Sequence, residues 1–186
     1  VLGVDITDDY VLAARELTAA VGLDDRVRFL STDIAALDEG GFASAYTMHV
    51  QMNVPDKRAF YAEIARRLRP EGRLAVFEVC RAGTVEVAPP LPWTIDGSDS
   101  HLVSADELRT AIEAAGFTTV DWIDETAWTL EWFDRFAARL ASSAPRATLA
   151  AVLHDGPVRM MTFLTAIRSG AVSIQRGAFV LSPSRA

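Results

Sequence analysis

Two acidic residues stand directly after short apolar runs. Asp5 follows VLGV and Asp33 follows RVRFLST. In a nucleotide-binding α/β sheet, an acid at the tip of a strand can accept hydrogen bonds from both vicinal hydroxyls of a ribose, because one carboxylate presents two acceptor oxygens. A second acid at the next strand tip can accept from the exocyclic amine of an adenine, while Ile34 covers the ring face. Each residue also has a plainer use. Asp5 suits the polar start of the following helix, where TDD opposes the dipole, and Asp33 suits a cap or an Asx-turn. The pair carries more information than either member: two acids at successive strand tips describe an adenosine site.

The elements that must position these residues are legible from periodicity. VLGVDI is β-branched and short, as a strand is. In TDDYVLAARELTAAVG, Tyr10, Ala14, Leu17 and Val21 recur at helical spacing, with Thr7 as cap and Gly22 as stop. Strands follow in RVRFLST and ASAYTMHV. Asp56 then opens a helix with Phe60, Ile64 and Leu68 on one stripe, and Pro70 and Gly72 form its stop and turn. RLAVFEVC is apolar enough to be a strand buried on both faces.

Beyond it, residues 81–103 form a loop rich in Pro, Gly and Ser, long enough to be functional. Ser104 and Glu107 spell a capping box for a helix that Gly116 closes. FTTVDWID reads as a strand. WTLEWFDRFAARLAS reads as a helix with Leu130, Phe133, Ala137 and Leu140 inward. A further helical stretch from about Pro145 to Arg168 breaks near DGP, and AVSIQRGAFVLSP closes as a strand. This alternation predicts a doubly wound α/β sheet, whose ligands bind beyond the carboxyl ends of its strands.

Composition narrows the classes. The 186 residues, half of them hydrophobic, fit one domain with a sizeable core. The net charge of -7 argues against nucleic acid, which rewards clustered cations. No apolar run is long enough for a membrane helix. The single cysteine, Cys80, cannot form an internal disulfide, which points to a reducing cytoplasm. No metal-ligand cluster stands out, and oligomeric state is not readable from these residues.

Taken together, VLGVDIT, RVRFLSTDIAAL, the block MHVQMNVPDKRAFYAEIARRLRPEGRLAVFEV and SADELRTAIEAAGF resemble the class I S-adenosylmethionine-dependent methyltransferases, in particular the small-molecule group with a Methyltransf_11-like core. The resemblance implies a mostly parallel Rossmann-like sheet with an antiparallel C-terminal strand, spanning residues 1–186 as one partial domain with a lid-like loop at about 81–103. It implies S-adenosylmethionine as cofactor and a small-molecule nucleophile, N or O, as acceptor. By that likeness, Asp5 and Ile6 would serve the ribose and Asp33 and Ile34 the adenine. Met48 and His49 would line the cofactor, with His49 also the best placed general base. Trp93 and His101 would belong to the lid over the acceptor, with Tyr46 a secondary candidate.

The same pattern explains why the sequence starts on a strand. The family's first strand and glycine-rich loop precede the strand that VLGVDIT resembles, and no G-x-G-x-G occurs here. The chain is therefore expected to lack that central strand, leaving VLGVDI and ASAYTMHV without direct pairing. Two other readings stay open: an NAD-dependent oxidoreductase, whose ribose also wants an acid after the second strand, and a non-catalytic domain on the same scaffold.

Overall fold

The computed structural model describes residues 1–142 and 153–183. Strand β1 (Leu2–Asp5) leads into helix α1 (Asp8–Ala20), and β2 (Arg28–Ser31) returns parallel to β1, with Asp5 opposite Ser31. Strand β3 (Phe42–Met48) is followed by a 3-10 turn (Gln51–Asn53) and helix α2 (Lys57–Arg67). Strand β4 (Leu68–Arg81) runs parallel to β3 with one register shift, so Leu68, Pro70 and Gly72 lie inside the strand rather than on the helix and in the turn expected there; Glu71, at φ +60°, marks the irregularity. Helix α3 (Ala105–Ala114), strand β5 (Phe117–Asp124), helices α4 (Thr126–Ser142) and α5 (Gly156–Arg168) and strand β6 (Val172–Leu181) complete the order.

The strands form two ladders. One is β1-β2; the other has the order β3-β4-β6-β5, with β6 antiparallel to both of its neighbours. No hydrogen-bonded ladder joins β1 to β3 among the described residues, as the family resemblance anticipates.

Local signals explain most boundaries. Asp56 caps α2 through a 2.9 Å bond from the Ala59 amide. Ser104 and Glu107 make both halves of the capping box on α3, and Gly116 leaves that helix at φ +99°, a conformation that favours glycine. The core beneath the larger sheet gathers Tyr61, Leu74, Val76, Leu108, Ile112 and Phe179. A second cluster joins Met52, Val79, Leu91, Phe163, Ile167 and Ile174.

Several expectations need correction. The helical spacing of α1 holds, but its apolar stripe is not the covered face: Tyr10, Leu17 and Val21 are exposed, and Val11 is the buried residue of that helix. Thr7 sits at the cap position but makes no side-chain cap bond; the Asp5 carboxylate takes the Thr7 amide instead. On α2 the deepest residue is Tyr61, with Phe60 only half-buried, because the inward face is set by Lys57, Tyr61 and Ile64. Strand β4 is buried on both faces only from Glu78 to Cys80; Arg73 and Ala75 are exposed, so one face of its first half is uncovered among the described residues. Ala137 of α4 is exposed rather than inward, whereas Leu130 and Phe133 do pack on the second core cluster. The side chain of Leu140, and the helical stretch expected from Pro145, lie outside the described residues up to Leu153; α5 begins at Gly156.

Candidate functional site

Asp5 and Asp33 leave the sheet on the same rim. Asp5 is the last residue of β1, its register partner Ser31 is the last of the parallel β2, and Asp33 follows two residues later. One oxygen of each acid is already engaged locally. Asp5 Oδ1 accepts the Thr7 amide at 2.8 Å, and Asp33 Oδ1 accepts the Ala35 amide at 2.7 Å, capping the 3-10 turn Ile34–Ala36. The plain structural uses and the ligand use are therefore compatible, since each carboxylate has a second oxygen. Ile6, directly beyond β1, is 76% exposed, so an apolar side chain stands bare beside the first acid. Ile34 is partly buried against the core under α2.

The carboxyl end of β3 carries the second group. Met48 is 57% and Tyr46 71% exposed. His49 has φ +54°, a left-handed conformation uncommon for a non-glycine residue. Such strain concentrates at functional positions. Its amide donates to the Phe77 carbonyl at 2.9 Å, and its ring meets Phe77 edge-on, with centroids 5.5 Å apart. Although the residue is exposed at its outer edge, the atoms crowding the ring desolvate it and hold its pKa below the ordinary imidazole value. A neutral imidazole at neutral pH is a proton acceptor.

Sequence reasoning missed the group behind His49. Glu78, read only as part of an apolar run, is fully buried on β4, and its Oε2 accepts the amides of Val50 at 2.9 Å and Gln51 at 3.2 Å. Desolvation raises its pKa, while Thr47, the two amides and Lys57 act the other way. Lys57, also buried, donates to the carbonyls of Val54 and His101. The lone charge inside RLAVFEVC was the available signal, because a buried carboxylate must find partners.

The loop after β4 is held down at both ends. The His101 amide donates to Met52 at 2.8 Å, while the His101 side chain stays exposed. Trp93 packs edge-on against Phe163 at 5.7 Å, and its indole N–H donates to Ser100 Oγ at 3.0 Å. Here Trp93 acts as a plug on α5 rather than as an open aromatic wall. The buried Arg159 of α5 donates to the carbonyls of Leu91 and Pro92, both at 2.7 Å. Under this loop, at the end of β4, lies a cavity of about 360 Å³ bordered by Arg81, Val85, Val87, Leu91, Thr94 and Leu102. Cys80 is fully buried, and burial pushes its thiol up to about 12, so it is no nucleophile. Among the described residues no cluster of His, Cys, Asp and Glu could hold a metal, and no helix is long and apolar enough to cross a membrane.

Known proteins resemble this chain in sequence and in fold. The family described as a methyltransferase domain matches residues 1–76. An O-methyltransferase of Penicillium expansum, cnsE, is 30% identical over 126 residues, covering 67% of this chain and 46% of that protein. Methyltransferase GfsG of Streptomyces halstedii is 28% identical over 140 residues, covering 74% and 41%. The chain thus spans less than half the length of either curated relative. In three dimensions, geranyl diphosphate C-methyltransferase from Streptomyces coelicolor A3(2), solved with Mg2+, geranyl diphosphate and S-adenosyl-L-homocysteine, matches with a TM-score of 0.71 at 16% identity, over 97% of this chain and 63% of that one. The [4+2]-cyclase SpnF matches with a TM-score of 0.67 at 22% identity, over 98% and 67%. With its acid-tipped parallel strands, its antiparallel β6 and these relatives, the chain belongs to the class I S-adenosylmethionine-dependent methyltransferases.

Proposed function

We propose that the protein transfers a methyl group from S-adenosylmethionine to the nitrogen or oxygen of a small-molecule nucleophile. The observation that carries this reading is the shared rim of Asp5 and Asp33. Two carboxylates on neighbouring strand tips suit the ribose and the adenine of one nucleoside, with Ile6, Ile34 and Met48 as apolar neighbours. The residues present fit the adenosine half of the cofactor, which when bound supplies an activated methyl group.

For this chain's own residues the task is mainly placement, because in-line transfer rewards a nucleophile held close and aligned. His49 is the residue to take the proton of a hydroxyl acceptor; an amine needs only to arrive neutral. Residues 81–103 serve as the lid, with the cavity at the end of β4 as the place for the acceptor and Trp93 and His101 as parts of the cover. The mixed lining of that cavity, with Val85, Val87 and Leu91 beside Arg81 and Thr94, supports a small, partly apolar acceptor. The single buried cysteine supports a reducing cytoplasmic setting.

Calorimetric titration of the full-length protein with S-adenosylhomocysteine and with NAD tests the cofactor. Preference for NAD removes the proposal. Because one protein of this fold is named a cyclase, the product assay must follow a labelled methyl group into amine, phenol and sugar acceptors, since fold alone does not set the reaction.

A further inference from the structure

The segment that carries His49 is anchored in an unusual way. The parallel ladder between β3 and β4 ends with Met48 opposite Phe77. The next three amides still point to β4. His49 donates to the Phe77 carbonyl, but Val50 and Gln51 donate to a side chain, the Glu78 carboxylate. Gln51, itself fully buried, closes the series by donating from Nε2 to the Val79 carbonyl. The carboxylate thus takes over as acceptor where the backbone ladder stops, at the step where His49 enters its left-handed conformation.

Burial gives this contact weight. Glu78 has no exposed surface, and its second oxygen, Oε1, is buried without a hydrogen-bond partner, as are Thr47 Oγ1 and the Tyr61 hydroxyl nearby. Thr47 lies against both the Glu78 carboxyl and the Tyr61 hydroxyl. A carboxylate serving stability alone is a poor choice here, since an apolar residue of similar volume is often as good in a core. What an apolar residue cannot do is accept two successive amides. From the other side, Lys57 holds the Val54 and His101 carbonyls, so the end of the same segment is tied to the foot of the lid loop.

We infer that Glu78 is a positioning residue: by accepting the Val50 and Gln51 amides it fixes the turn that presents Met48 and His49 at the rim of the sheet, without touching either ligand. The role of Met48 and His49 at that rim rests on the function proposed above; the fixing of the turn does not.

Two variants of the full-length protein test this. Glu78→Gln keeps a carbonyl oxygen for the two amides and offers an NH2 to the neighbouring hydroxyl oxygens. Glu78→Met keeps the length and removes the acceptor. The first measurement is amide hydrogen exchange at Val50 and Gln51, compared with Leu74 and Val76 in the ladder. In the Met variant the two loop amides are expected to lose at least about tenfold protection while the ladder amides stay within about threefold; in the Gln variant all four stay within about threefold. Unchanged protection at Val50 and Gln51 in the Met variant overturns the inference, and so does equal loss at all four amides. If the Met variant does not fold, the Gln variant still decides, since loss of Val50 and Gln51 protection there is the overturning result.

The second measurement is affinity for S-adenosylhomocysteine, expected to fall about tenfold in the Met variant and to be restored in the Gln variant. Wild-type protein that fails to bind it refutes the proposed cofactor while leaving the exchange result to judge the turn.

Discussion

Asp5 and Ser31 are register partners at the carboxyl ends of two parallel strands, and this single pairing places Asp33 on the same rim as Asp5. The local bonds of the two acids allow a clean experiment. Asn at either position retains an Oδ1 acceptor for the Thr7 or Ala35 amide and withdraws the charge. Asp5→Asn and Asp33→Asn are each expected to weaken S-adenosylhomocysteine binding by about tenfold or more, with the melting temperature of the free protein almost unchanged. Calorimetry and thermal melts read the two effects separately. Reduced stability with intact binding would assign both acids to the turns alone.

His49 is expected to work as a base below the usual imidazole range, because desolvation holds its pKa down. For a hydroxyl acceptor, the acidic limb of kcat/KM should therefore lie below about pH 6.5. His49→Asn suits the left-handed backbone and removes the base, so the expected result is a loss of roughly 10²-fold or more in kcat with that limb abolished. The linkage sign also follows. A depressed histidine pKa means the unfolded chain binds the extra proton first, so stability is lost as pH falls from the ordinary value toward the folded one, and the Asn variant lacks that loss. Chemical denaturation between pH 5 and 8 measures it.

Glu78 has the opposite linkage. Its carboxyl pKa is raised, chiefly by desolvation, so in the window above the ordinary carboxylate value the folded protein holds a proton that the unfolded chain has released. Stability then declines as pH rises from that ordinary value through the raised one. Glu78→Gln is expected to remove this decline, so its stability relative to wild type should increase from pH 4.5 to pH 8. Urea midpoints across that range check the slope; a constant difference would show that Glu78 ionises as an exposed carboxyl does.

Arg159 fastens the loop after β4 to α5 by two bonds to backbone carbonyls. Arg159→Met keeps most of the apolar stem while leaving the Leu91 and Pro92 carbonyls without that donor. Because hydrogen bonds from a charged donor exceed neutral ones, the expected cost is about 2 kcal/mol, accompanied by faster proteolysis within residues 81–103. A raised KM for the acceptor with little change in cofactor affinity is the expected kinetic signature of that loop as a lid. Equal changes in both would detach the loop from the acceptor.

Strand tips and the caps of α2 and α3 were legible in the sequence because each rests on local chemistry: a β-branched run, Asp56 before its helix, Ser104 with Glu107. The antiparallel sense of the last strand came only with the family resemblance, since antiparallel pairing is a property of the whole sheet. The orientation of α1 was not legible. Periodicity announces an apolar stripe, but Val11 rather than Leu17 is buried, and which face is covered depends on strands distant in sequence. The adenosine half of the candidate site was readable as two acids at successive tips, since tip position is a sequence property. Glu78 was hidden for the converse reason. Its meaning lies in the Val50 and Gln51 amides, 28 and 27 residues earlier, which only the parallel pairing of β3 with β4 brings alongside.

Strand β6 lies between β4 and β5, which share no ladder with each other. During synthesis, β5 must wait through some fifty further residues for β6, its ladder partner among the described residues, with the edge of β4 that β6 covers equally bare. Nascent chains paused before Val172 should therefore be the aggregation-prone species, and chaperone occupancy should fall once Leu181 has cleared the ribosome.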